Sequence, residues 1–425
     1  MRKSLAILAA VVMLLGVANV TFATQARVNS LGKAWMYDGD FEDIYFYPNA
    51  MASYPRMIVA ELGTNPDSIS YNGSAAITFA NEEQTWGVVG LDINHAITNE
   101  GEFNTLITNA FGMDPVNNKW HLFYAKNVGG LSAGLHIARA AYATTYTNSD
   151  TFNLTLHQDN SASAGIWDFN FGLGYSPMEN MEANLGFSFK TYSFSDEMNL
   201  TWPGTPAVTP YSLTRENDGG SGIDVALQVL YGMSDNFKLV PTAGISMGSI
   251  GYKISDTDTL VLPDAQGGEM STFDFWAGFG GNYTPVENVR VIGGLDFGIS
   301  STTIEDTMGV LHTMGLGYTE VKTSTFMFPG FSAAVEADVL KWLTLRIGAG
   351  KDIAKTTTTT TTADNAETED TYTSADYQFG FGLGFKFNKL NIDVKVNDAQ
   401  PFDLGYLMSG NTNTPFTQVS ATYKF

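Results

Sequence analysis

Five histidines, 44 carboxylates and no cysteine are what this chain offers to chemistry. The histidines, His95, His121, His136, His157 and His312, are scattered along the sequence. No Gly-x-Ser-x-Gly elbow leads into a helical pattern, and no His-Glu-x-x-His pair sets zinc ligands on a helix face. A hydrolase would have to gather Ser, His and an acid from separate segments on one outer face, so no enzyme is expected. Without cysteine there is no disulfide, thiol nucleophile or thiolate metal site. No cofactor and no metal centre are expected. Asp38, Asp40, Glu42 and Asp43 are spaced like the start of a calcium loop but lack its glycine and its closing glutamate, and read as solvated. Thr356 to Thr362, followed by Asp364, Glu367, Glu369 and Asp370, reads as a polar outer loop. Its oxygens would suit a hard cation or a bridge to lipopolysaccharide.

The remaining charges fall opposite apolar faces. Tyr377, Phe379, Phe381, Leu383, Phe385 and Phe387 alternate with Gln378, Gly380, Gly382, Gly384 and Lys386. After a turn at Asn388 and Lys389, Leu390, Ile392, Val394 and Val396 oppose Asn391, Asp393, Lys395 and Asn397. Period two over this length predicts paired strands with one oily and one polar face. With the oily face toward lipid, the polar face lines a lumen. Its expected charges are Asp92, Asp168, Lys190, Asp224, Asp274, Arg290 and Asp296, then Glu336, Asp338, Arg346, Lys386, Asp393 and Lys395. They read as a solvated lining with a slight preference for cations, or as cross-strand ion pairs such as Arg346 with Glu336 or Asp338.

The elements that would carry these residues repeat as hairpins. Tyr175-Ser-Pro-Met-Glu-Asn180 and Tyr283-Thr-Pro-Val-Glu-Asn288 are near copies, and Tyr231-Gly-Met-Ser-Asp-Asn236 is a looser third. Further short turns are expected at 81–84, 127–130 and 338–342. Between them lie polar segments read as long loops: 94–119, 144–163, 196–220, 255–271, 301–323 and 355–375. Short turns on one side and long connections on the other predict an all-β, antiparallel, up-and-down transmembrane barrel. About sixteen strands fit, from Arg56–Gly63 to Phe416–Phe425, with fourteen the alternative count. Mean hydropathy is −0.05, aromatics make up 13% and glycines number 43. A wall that meets lipid with every second residue needs no more apolar content than that.

Arg2 and Lys3 precede an apolar run from Leu5 to Ala18, and Thr21-Phe22-Ala23 supplies a cleavage site. Residues 1–23 therefore read as a secretory signal peptide. The formal charge is −22, and such a surface repels nucleic acid. An even strand count with short inner turns puts both termini in the periplasm. The final run alternates to Tyr423 and Phe425 and resembles the closing strand of bacterial outer-membrane barrels. That resemblance implies the outer membrane of a Gram-negative cell, contact with its lipid and lipopolysaccharide, and recognition of Tyr423 and Phe425 by the barrel-assembly machinery.

Residues 24–54 are distinct from the wall expected over 55–425. They hold Leu31-Gly32, the acids Asp38 to Asp43, and Pro48-Asn49-Ala50. This stretch resembles the head of the long-chain fatty-acid transporter superfamily, which carries an early Leu-Gly, a pair of acids and Asn-Pro-Ala. Here the order is Pro-Asn-Ala, and the matching positions are Leu31, Gly32, Asn49 and Ala50. The resemblance implies a segment folded into the lumen as a plug, and passive uptake of a small-molecule or lipid-like ligand. Trp35, Tyr37, Phe41, Ile44, Tyr45, Phe46 and Tyr47 are too apolar for a free tail. Part of the segment could instead be a first strand, and the whole could be a scaffold that transports nothing.

Overall fold

The computed structural model describes residues 24–32, 40–64, 71–98, 100–149, 157–201, 211–256, 266–306, 318–362, 366–396 and 416–425. The leader read over 1–23, with Trp35, Tyr37, Asp38, His312 and Asp364, lies outside them.

Alternating sequence produces sixteen strands that close on themselves. They are β1 (Met57–Thr64), β2 (Tyr71–Phe79), β3 (Val88–Ile93), β4 (Asn118–Val128), β5 (Leu131–Ser149), β6 (His157–Met178), β7 (Met181–Thr201) and β8 (Tyr211–Ser234). The ring continues with β9 (Phe237–Asp256), β10 (Gln266–Val286), β11 (Val289–Asp306), β12 (Tyr318–Leu340), β13 (Leu343–Thr362), β14 (Glu367–Phe387), β15 (Leu390–Val396) and β16 (Phe416–Lys424). Every neighbour pair is antiparallel, and β1 pairs with β16 from Met57 opposite Lys424 to Gly63 opposite Gln418. Closure leaves no free edge, as a lipid-embedded sheet requires.

The two faces differ as the period predicts. Phe169, Phe171 and Leu173 on β6, Leu185 and Phe187 on β7, and Leu227 on β8 are exposed on the outer face. Asp168, Asn170, Asn184, Lys190 and Gln228, which alternate with them, are buried on the inner face. Outward oil and inward polarity make this a membrane-type barrel. Among the described residues no helix is long and apolar enough to cross a membrane, which says nothing of crossing by strands.

The wall begins at Met57, not Arg56, and is much taller than the sequence suggests. Of the six segments read as loops, the one from Asn94 to Asn117 leaves the wall among the described residues. The described parts of the others largely extend strands. Thr356 to Thr362 completes β13, and Thr325 and Thr357 hydrogen-bond by hydroxyl to Thr356 and Thr371 at 3.0 Å. β-Branched threonines favour a pleated surface, and cross-strand hydroxyl pairs replace the apolar grip that their polarity lacks. The expected short turns do form, after Val128, Met178, Ser234, Val286, Leu340 and Phe387.

Two pieces pack against the inner face. The N-terminal piece comprises α1 (Gln25–Ser30), α2 (Asp43–Phe46) and a 3₁₀ turn (Pro48–Ser53). Its described residues contribute no strand. The other is α3 (Glu100–Phe111), in the connection between β3 and β4.

Candidate functional site

The N-terminal piece is fastened at both ends to inner-face side chains. Thr24 caps α1 by accepting from the Arg27 amide at 3.4 Å, and its own hydroxyl donates to Asp393 at 3.1 Å. Arg27 is 1% exposed. Its guanidinium takes Glu336 in a fork, at 2.7 and 3.0 Å, and reaches Asp40 at 2.5 Å. Arg346 binds the same Glu336 at 2.6 Å and Asp393 at 2.7 Å. These charges lie out of water, where an ion pair survives only if its hydrogen bonds are made. At the other end Asn49 donates to Asn184 at 2.6 Å and to Ser132 at 3.2 Å. The backbone carbonyl of Tyr45 accepts from Asn170 at 2.9 Å.

Glycine makes these approaches possible. A Cβ on Gly134 would overlap the backbone of Pro48 and Asn49, and one on Gly348 would overlap that of Leu31. Leu31 is fully buried beside Ile292 and Ala334. Gly32 has φ +91° and ends α1 beside Ala349, a conformation that favours glycine. Asn49 is buried and Ala50 is partly buried against a cluster containing Met51, Val88 and Phe123.

The thirteen expected lumen charges fall mostly into pairs. Glu336, Arg346 and Asp393 form one network with Arg27, and Arg290 stands opposite Glu336 in the β11–β12 register. Arg346 does not take Asp338, which instead receives Lys386 at 2.7 Å and Thr344 at 2.5 Å. Lys190 is paired with Asp224, and Ser188 donates to Asp168 at 2.5 Å. Asp92 accepts from the Tyr45 hydroxyl at 2.5 Å. Asp296 is buried, Lys395 is half-buried, and Asp274 borders a cavity of about 290 Å³.

The inner face is not polar throughout. Ile166 on β6, Phe194 on β7, Ile250 and Tyr252 on β9 and Met270 on β10 are buried against Phe103, Ile107 and Phe111 of α3. Strict alternation hid them, because inward apolar residues look like lapses in a polar face. The cavity of about 290 Å³ lies below this cluster, bordered by Tyr45, Phe46, Ala226, Ile245, Trp276 and Asp274.

Three of the scattered histidines converge. His121 Nε2 faces the His95 carbonyl oxygen at 3.1 Å, so that nitrogen carries the proton. Its Nδ1 then accepts from His136 Nε2 at 2.9 Å, which leaves His136 Nδ1 bare and buried. Tyr45 stacks on His95 with ring centroids 3.7 Å apart. Burial pushes the His95 imidazole down to about 3, so the ring is neutral. Burial, and then the charges of Glu61 and Asp40, push the Glu42 carboxyl well above the ordinary carboxylate range. The acids read as solvated are therefore corrected: Asp40 is buried, and Glu42 and Asp43 are half-buried. Sequence reasoning missed Glu61 as well, because the inward positions before it on β1 are Met57 and Val59.

The Gly-x-Ser-x-Gly strings at 130–134 and 244–248 fall largely or wholly inside strands β5 and β9. Ser132 accepts from Asn49, and Ser246 donates to Asp224.

No family model matches the chain, and no curated protein matches it. Solved barrels do. A Pseudomonas aeruginosa FadL homologue matches at 11% identity and TM-score 0.42, over 96% of this chain and 99% of its own. The Pseudomonas putida toluene transporter TodX matches at 11% and 0.40, over 95% and 99%. The Ralstonia pickettii toluene transporter TbuX matches at 10% and 0.37, over 95% and 98%. The closed ring itself rests on the strand register of this chain.

Proposed function

We propose that this chain is an outer-membrane channel for passive passage of small apolar molecules, with residues 24–54 as its plug and residues 55–425 as its wall. The observation that carries the reading is the apolar inner lining. A water-filled pore keeps its interior polar, whereas Ile166, Phe194, Ile250, Tyr252 and Met270 here turn inward and pack on α3. An apolar guest gains roughly 25 cal/mol per Å² of its own surface removed from water. The mixed cavity beside Tyr45 and Trp276 is of pocket size for such a guest. Asp274 on its border disfavours anionic guests, while Asp224 there is paired with Lys190. On this reading the chain is no enzyme, the short turns face the periplasm with both termini, and Tyr423 and Phe425 address the assembly machinery.

Conductance across planar bilayers tests the reading. The full chain should conduct weakly and the form lacking residues 24–54 strongly, and vesicles holding the latter should admit an uncharged aromatic probe faster. If neither form conducts or passes the probe, the channel reading fails and a filled, non-transporting scaffold takes its place.

A further inference from the structure

We propose that Glu42, Glu61 and His95 form a binding site for one divalent transition-metal ion, for which Zn²⁺ is the best match, joining the N-terminal piece to the wall. One carboxylate oxygen from each glutamate and one His95 ring nitrogen all lie within 4.8 Å of one another. Zinc bound at about 2.0–2.2 Å draws tetrahedral donors to roughly 3.3–3.6 Å of each other, a contraction that side-chain rotation supplies.

An independent observation points to a ligand. The His95 side chain is 10% exposed, and its ring nitrogens stand 3.6 Å from Glu42 and 4.0 Å from Asp92, beyond hydrogen-bond reach. With no hydrogen bond to the protein, the ring has a nitrogen lone pair free for a ligand that enters from the cavity it borders. A cation on Nε2 would sit between the imidazole and Glu42.

The surroundings hold the donors in place. The Gln25 amide at 2.8 Å and the Ser420 hydroxyl at 2.9 Å both donate to one oxygen of Glu61, leaving the second for an ion. Stacking on Tyr45 fixes the plane of the His95 ring. Asp92, oriented by the Tyr45 hydroxyl, lies on the Nδ1 side, where a carboxylate commonly backs a metal-bound histidine. A cavity of about 200 Å³ bordered by Glu61, His95, Asn94 and Lys119 leaves room for a water as fourth ligand and for the ion to enter. An imidazole donor and so few oxygens disfavour Ca²⁺ and Mg²⁺. Glu42 precedes α2, Glu61 is on β1 and His95 follows β3, so the ion would clamp the piece to the ring. The effect of that clamp on passage rests on the channel reading; binding does not.

Calorimetry on the full chain, folded in detergent, stripped with chelator and titrated with Zn²⁺, tests the site. One ion per chain is expected. E61Q and H95Q should each weaken binding at least tenfold, and D235N, in the exposed turn after β8, should leave it unchanged. Heat-modifiable migration on gels reports whether each variant folds. Should the variants fail to fold, the wild-type chain still decides. Co²⁺ should give the visible absorption of a tetrahedral site with a nitrogen donor, and Zn²⁺ should shield His95 from diethyl pyrocarbonate as mapped by mass spectrometry. Binding unchanged in folded E61Q and H95Q overturns the proposal. So does the absence of both wild-type signatures, or displacement of Zn²⁺ by equimolar Ca²⁺. Loss of conductance alone bears on the channel reading and leaves the site standing.

Discussion

Arg27 shows what a single side chain can hold in this interior. It joins Asp40, near its own segment, to Glu336 on the far wall. Arg27→Ala removes a guanidinium partner from Asp40 and one of the two that hold Glu336, and breaking a buried pair by removing one partner costs about 3–5 kcal/mol. The expected outcome is early loss of the N-terminal piece on heating or in urea, read by proteolysis within residues 24–54, while the strands keep their gel shift. Arg27→Lys should fall between, since an ammonium cannot reproduce the fork onto Glu336. Equal protease resistance in the wild type and Arg27→Ala would show that the piece is held elsewhere. Arg27 was invisible in the sequence. It is the basic residue nearest the expected cleavage site, and nothing local says that it pairs with a residue 309 positions away.

At the scale of elements, the wall was legible and its contents were not. Alternation around Gly380 to Lys386 and the repeated Tyr-x-x-x-x-Asn turns located strands and hairpins, because each is decided by neighbours in sequence. The fate of Thr356 to Thr362 was not, because polar composition suggested a loop while β-branching and cross-strand hydroxyl pairs made a strand. The histidine cluster was hidden for a different reason: His95 follows β3, His121 is on β4 and His136 on β5, and only the register of these consecutive strands sets the rings side by side. Gly348 tests how α1 sits on the wall. Gly348→Leu places a side chain where the backbone of Leu31 lies, and overpacking of this kind costs about 1–3 kcal/mol. It should displace the N-terminal piece, raising protease access near Ser30, without changing the gel shift of the barrel. A variant that unfolds the barrel outright would mean that wall and piece form one cooperative unit.

For the whole molecule the governing fact is the sidedness of the ring. Leu227 is exposed on β8 opposite Leu185, while Gln228 beside it is buried. Leu227→Arg should lower stability in lipid vesicles by about 2–4 kcal/mol, measured by urea titration of the tryptophan signal. An unchanged midpoint would place the bilayer elsewhere on the wall. The ring is also uneven in height. β6, β8 and β12 run 22, 24 and 23 residues, whereas β3 and β15 run 6 and 7. At about 3.3 Å per residue and a tilt near 40°, the long strands stand roughly 55–60 Å tall, more than twice the apolar belt. A round object thereby acquires a front and a back. The described wall from β5 to β14 rises on strands of 18 to 24 residues, whereas from β15 through β16 and β1 to β3 its strands run six to nine. On the channel reading, that unevenness would give a solute two different heights of wall to cross, according to the side from which it comes.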